Sequence, residues 1–287
     1  MTETRSKSFY WVKSSLYRLK RGVYMVNIKL FNDYFLASHI AVPLLTVNNR
    51  DTHDIIRMFF ETYNFNVVGF KEEDKVIGYL NRELYDYNSE AIEENLISFT
   101  TGDTVAANTP LVDILALMEG RERLFLITDS TIDLLITKAD LQKPPVRMLL
   151  FGLVTLLESE MADVIRMYHP SDEWKDLLTE GRVKKIDALY EKRKEKNIEI
   201  DLIDCTQFAD KKTVVLEDAS LRENLFTSSK NSAEKWMRKV ELLRDDLAHA
   251  QSLSNWFETE NADLLVSEIQ TLIHKLELQK FEKIISK

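Results

Sequence analysis

The chain has one cysteine, five prolines and seven glycines in 287 residues. A single thiol, Cys205, excludes an intramolecular disulfide framework and any cysteine-based zinc site, and fits a reducing compartment. A long apolar run is also missing. The most apolar stretch, Met148–Leu157, is about half the roughly 20 residues that a membrane helix needs, so it is expected as a buried helix. The start, MTETRSKSFYWVKSS, lacks the apolar core of a signal peptide. Positive charge is not in excess either: the net charge is −9 and the pI about 5.3. Duplex DNA binding needs surplus Lys and Arg to displace counterions, so the balance argues against it. These absences predict a soluble, cytoplasmic chain without membrane or duplex-DNA partners, and with no metal or required cofactor.

Hydrophobic content of 45% with 30% charged residues supports real cores, and the length favours two domains. No glycine or proline follows Gly181, and the remainder is rich in Leu, Glu and Lys, which favours helices. Before that point β-branched runs alternate with short amphipathic stretches. The change falls near Gln142-Lys143-Pro144-Pro145, where paired prolines end one element and open another. The expected organisation is an N-terminal segment, 1–38, packed on the body, then 39–143, then a helical region, 144–287. Within 1–38, Phe9, Tyr10, Trp11, Tyr17 and Tyr24 stand among Lys13, Arg18, Lys20 and Arg21. That mixture reads as a helix and strand with a solvated cationic face, or as an RNA or membrane contact.

Residues 39–143 contain a repeat. Pro43–Val47 reads as a strand, and Asp51-Thr52 caps a helix through Phe60 with Ile55, Ile56, Phe59 and Phe60 on one face. Asn66–Phe70 and Lys75–Leu80 follow as strands. Thr104-Val105 opens a second copy, with Thr109 as cap, Pro110 at the first helical position, and Ile114, Leu115 and Leu117 on the apolar face. Arg123–Ile127 and Ile132–Ile136 close it. The copies are offset by 58 residues at the first strand and 56 at the last. A lone unit of this size buries too little surface to be stable, so the two are expected to stack sheet against sheet. The fold class is therefore α+β, a tandem of β-α-β-β units, followed by an all-α bundle.

The closing phrase of the second copy, Leu135-Ile136-Thr137-Lys138-Ala139-Asp140-Leu141, resembles that of CBS domains. The resemblance implies a nucleotide-sensing pair, with Thr137 near the phosphates of an adenine nucleotide (AMP, ADP, ATP or a related signal) and Asp140 on its ribose. Backbone around Val105 and Ala106 would line the same site. The first copy departs, with Asn81 and Leu84 at the matching positions and Glu83 one residue out of register. It implies at most one intact site. Thr137 and Asp140 also have capping-box spacing, which needs no ligand.

From Val146 onward the pattern predicts helices at Val146–Met167, Asp172–Asn197, Ser232–Ser252 and Asn261–Ile285, with short segments at Asp201–Ala209 and Ser220–Phe226, in an antiparallel bundle of about four or five. Thr213–Leu216 reads as strand-like. The charge run Lys192–Lys196 reads as a solvated helix end. Glu241–Ala250 is similar to the signature of the HEPN superfamily, with Arg244, the polar Asp245 and His249 matching. That similarity implies a metal-independent endoribonuclease acting as a homodimer on single-stranded RNA. Histidine would move the proton, the guanidinium would hold the phosphate, and Asp245 would orient the imidazole. Arg244 and His249 diverge by about 140° on an ideal helix, so a composite cleft between two copies is expected. The alternative is a non-enzymatic regulator whose bundle mediates dimerisation or partner docking.

Overall fold

The computed structural model describes residues 26–196 and 200–285. The aromatic and basic positions from Phe9 to Tyr24 lie outside the described residues. The described residues divide into two compact units, one of Asn32–Val146 and one of residues 147–285 together with residues 26–31. Helix α1 (Val26–Tyr34) spans that first boundary.

The unit Asn32–Val146 holds two four-stranded sheets, each built on one copy of the repeat and completed by a short strand from outside that copy. Its elements in order are β1 (Val42–Pro43), β2 (Thr46–Val47), α2 (His53–Arg57), β3 (Val67–Glu72), β4 (Lys75–Asn81), β5 (Ile97–Ser98), β6 (Thr104–Ala106), α3 (Leu111–Leu117), β7 (Arg123–Thr128) and β8 (Thr131–Thr137). One sheet runs β2-β3-β4-β5 and the other β1-β8-β7-β6. The run Pro43–Val47, expected as one strand, is divided: β1 pairs antiparallel with β8 and β2 parallel with β3. Two residues suffice for each strand because the partner strand, not local propensity, defines them. The short strand β5 enters the first sheet in the same way, opposite Gly78 and Tyr79. A Cβ on Gly78 would lie 2.5 Å from the Ile97 carbonyl oxygen, so only glycine admits β5 there.

Burial repeats as the sequence repeats. Ile56, Val68, Phe70 and Leu80 in the first copy, and Ile114, Leu124, Leu126 and Ile136 in the second, are all within the core. Each set joins a helix to the outer face of its sheet. The opposite faces meet through Leu44, Val67, Phe125 and Leu135, bordered by Val42, Val76 and Tyr79. Three local expectations are corrected. Helix α2 ends at Arg57 and continues as a π turn, Met58–Thr62. Thr52 makes no side-chain cap, while the Asp51 carboxylate accepts from the Asn48 amide at 2.8 Å. Pro110 is itself the residue before α3, so that helix opens at Leu111.

The second unit carries seven described α-helices: α4 (Pro144–Tyr168, which begins just before the unit boundary), α5 (Glu180–Lys194), α6 (Phe208–Glu217), α7 (Ala219–Leu225), α8 (Lys230–Ala248), α9 (Ser254–Glu258) and α10 (Ala262–Ile285). Leu149, Leu150, Leu153, Val154 and Leu157 of α4 are buried. Gly152 lies against the Phe31 ring, where a Cβ would collide. The stretch expected as one helix from Asp172 is broken. Asp172 takes a left-handed backbone, a 3-10 turn covers Glu173–Leu177, and α5 starts only at Glu180. Thr213–Leu216 is helical, within α6. Its β-branched residues are overruled by burial of Val214, Val215 and Leu216 and by a capping box at Gln207, whose amide donates to Asp210 at 2.7 Å.

Candidate functional site

Strand β8 ends where a 3-10 turn, Lys138–Gln142, begins. The Asp140 Oδ2 atom accepts from the Thr137 amide at 2.7 Å and from the Thr137 hydroxyl at 2.8 Å. Its Oδ1 atom meets the Lys143 ammonium at 2.8 Å, and the same ammonium donates to the Ile40 carbonyl. Asp140 is only 6% exposed, so burial of its charge is compensated by these partners. The first copy has no such device. The Asn81 side chain accepts from the Glu83 amide at 2.9 Å, and Leu84 is 70% exposed.

Thr137 is directly opposite Arg123 in the β7–β8 ladder. Directly paired residues share a sheet face, and alternation puts Phe125 and Leu135 on that same face. Phe125 and Leu135 belong to the cluster between the sheets, so Arg123 and Thr137 border the gap between the two sheets. A cleft of about 410 Å³ opens there, within the usual range for a small-molecule site. Its walls are apolar: Val42, Pro43, Leu45, Phe65, Val67 and Leu135. Asn64 and Asn66 add amides, and Glu122, Arg123, Lys138 and Asp140 add charge. One step beyond the Arg123–Thr137 pair, the Lys138 ammonium meets the Glu122 carboxylate at 2.7 Å. That bond, with the positive charge behind it, holds the Glu122 carboxyl below the ordinary carboxylate range.

The structure thus brings Thr137 and Asp140 to one cleft. It does not bring Val105 and Ala106 there. They lie on β6, which pairs with β7 at the far edge of the order β1-β8-β7-β6. The wall expected from β6 comes instead from β1 and from residues 64–67, contributed by the other copy. No sequence motif marks those residues; the signal that could have found them is the exchange of β1 between sheets. Glu122 and Arg123 also line a neighbouring cleft of about 360 Å³, with Tyr79, Gly102, Asp103, Arg121 and Phe125.

In the helical unit, Arg244 and Asp245 sit on α8 and His249 is its C-cap. The Arg244 guanidinium is held by Asp245 at 3.1 Å and by Glu158 of α4 at 3.7 Å. Glu158 also receives Lys211 at 3.1 Å, so the arginine belongs to a network joining three helices. The Asp245 carboxylate therefore pairs with Arg244, whereas His249 is linked to Asp245 through its backbone amide at 3.0 Å. The His249 side chain is exposed at the helix end. Among the described residues no group of three or more His, Cys, Asp or Glu is arranged to hold a metal ion, and no helix is long and apolar enough to cross a membrane.

No family model and no curated protein matches the chain. Several solved structures resemble part of it. A hemolysin-like protein containing a CBS domain from Oenococcus oeni PSU is 16% identical, with 41% of this chain and 94% of that one covered at a TM-score of 0.31. A CBS domain pair in complex with 5′-methylthioadenosine and S-adenosyl-L-methionine is 16% identical, with coverage of 37% and 95% and a TM-score of 0.32. The CBS domain of a bacterial CNNM/CorC family Mg2+ transporter in complex with ATP is 14% identical, with coverage of 44% and 97% and a TM-score of 0.33.

Proposed function

We propose that Asn32–Val146 is a sensor module that binds one adenine-type nucleotide in the cleft between its sheets. The observation that carries this reading is the composition of the cleft. Val42, Pro43 and Leu45 offer a flat apolar wall for a base, Asn64 and Asn66 offer donors and acceptors for its polar edge, and Arg123 offers a guanidinium for a phosphate. Thr137 and Asp140 also line the cleft, and the resemblance of their phrase to CBS domains implies phosphate and ribose contacts for them. Because the cleft is bounded by strands from both copies, a ligand there binds one relative arrangement of the sheets in preference to others.

The helical unit is the effector of this reading, acting by dimerisation or partner docking. The network around Glu158 supports the non-enzymatic alternative: Arg244 is already neutralised by two carboxylates, and its charge is committed before any phosphate arrives. The ribonuclease reading needs that guanidinium free and His249 oriented. Thermal unfolding of the whole chain with AMP, ADP, ATP and GTP tests the sensor. An adenine nucleotide at 100 times its Kd adds about 2.7 kcal/mol of stability. Unchanged midpoints with every nucleotide would reject the module as a nucleotide sensor.

A further inference from the structure

We infer that Glu122 biases the cleft toward nucleoside monophosphates over di- and triphosphates; this rests on the nucleotide reading above. The argument is a charge count. Four charged side chains line the cleft: Glu122, Arg123, Lys138 and Asp140. Asp140 is committed to Thr137 and Lys143. Lys138 is committed to Glu122 at 2.7 Å. Among the described residues Arg123 has no ion-pair partner, so one fork-shaped cation remains for an incoming anion. A guanidinium takes two oxygens of one phosphate by paired hydrogen bonds, and a monophosphate carries a charge of about −1.5 to −2.

A second and third phosphate find no further free cation among the residues that line the cleft. They must either lie beside the Glu122 carboxylate or take Lys138 away from it, and both outcomes oppose binding. The Glu122 carboxylate is 70% exposed and Lys138 50%, so this repulsion is screened, and a discrimination of about tenfold is expected rather than a thousandfold. The position is particular to the second copy. At the equivalent place in the first copy stands Asn66, which carries no charge.

The test is isothermal titration of the whole chain with adenosine, AMP and magnesium-free ATP, for wild type, Glu122→Gln and Glu122→Gln/Lys138→Gln. Wild type binds AMP about tenfold more tightly than ATP. Glu122→Gln releases Lys138 and raises ATP affinity about tenfold, with a smaller gain for AMP, and the double variant loses that gain. Adenosine affinity stays the same in all three. If wild type binds AMP and ATP equally, or Glu122→Gln leaves their ratio unchanged, Glu122 has no such role, while the site itself stands. If no ligand binds any variant, the site fails and this inference with it. Circular dichroism of each variant separates loss of binding from loss of fold.

Discussion

Asp140 accepts two hydrogen bonds from Thr137, at 2.7 and 2.8 Å, through one carboxylate oxygen, and holds Lys143 at 2.8 Å through the other. The capping box is thus complete without a ligand, and it fixes the end of β8 beside Arg123. One consequence follows for each residue. Asp140→Asn weakens the contact with Lys143 and replaces an ionised acceptor, costing about 1–2 kcal/mol of stability. Thr137→Ala removes only the hydroxyl donor and costs about 1 kcal/mol. Urea unfolding measures both, and a larger loss for Thr137→Ala than for Asp140→Asn would contradict this arrangement.

Arg123 is the cation left for a phosphate. Arg123→Ala should weaken AMP binding by about 10- to 100-fold, the range for one charge-assisted contact of roughly 1.5–3 kcal/mol. The adenosine affinity should be nearly unchanged. Equal losses for the two ligands would place Arg123 outside phosphate recognition.

Gly78→Ala pushes a methyl group into the Ile97 carbonyl, which lies 2.5 Å from the added Cβ. The edge strand β5 must detach or shift, at about 1–3 kcal/mol. A thermal midpoint equal to wild type would show that β5 does not need glycine there.

A buried acid pair in the helical unit makes stability depend on pH. Glu277 and Glu160 are each 4% exposed, and Lys280 lies 2.5 Å from Glu160 and 3.1 Å from Asp163. Burial first, and then the Glu160 charge, raise the Glu277 pKa from 4.5 to about 7. With the folded pKa above the unfolded one, the stabilising contribution is full below about pH 4.5 and is lost as pH rises to about 7. The loss amounts to about 2–3 kcal/mol at most. Glu277→Gln should flatten this part of the stability profile. An unchanged slope between pH 5 and 7.5 would locate the dependence elsewhere.

Wild type and His249→Ala should leave single-stranded RNA equally intact in EDTA, because Arg244 is tied to Glu158 and Asp245. Cleavage by wild type that His249→Ala abolishes would restore the ribonuclease reading.

The strands and helices of the repeat were legible because their signals are local. Short apolar runs bounded by polar turns mark β3, β4, β7 and β8, and the apolar spacing around Ile56 and Ile114 marks α2 and α3. What was not legible depends on distant partners. The run Pro43–Val47 reads as one strand, but its division into β1 and β2, and the existence of β5, follow from pairing with β8, β3 and β4. The cleft inherits that limit: Thr137 and Asp140 announce themselves three residues apart, whereas Val42, Pro43 and residues 64–67 reach the cleft only after β1 crosses to the other sheet. Val214 and Val215 read as a strand from their branching, but buried positions and the Gln207–Asp210 cap make them helical. The influence of the Glu160 charge on Glu277 reaches from α4 to α10 across more than a hundred residues, and nothing local points to it.

The most direct test of the central claim is photolabelling of the whole chain with 8-azido-AMP, followed by peptide mapping, with and without excess AMP. The account predicts AMP-protected label on peptides containing Val42–Leu45 or Asn64–Val67, reduced in Arg123→Ala. Label confined to the helical unit, or label that excess AMP does not displace, would contradict it.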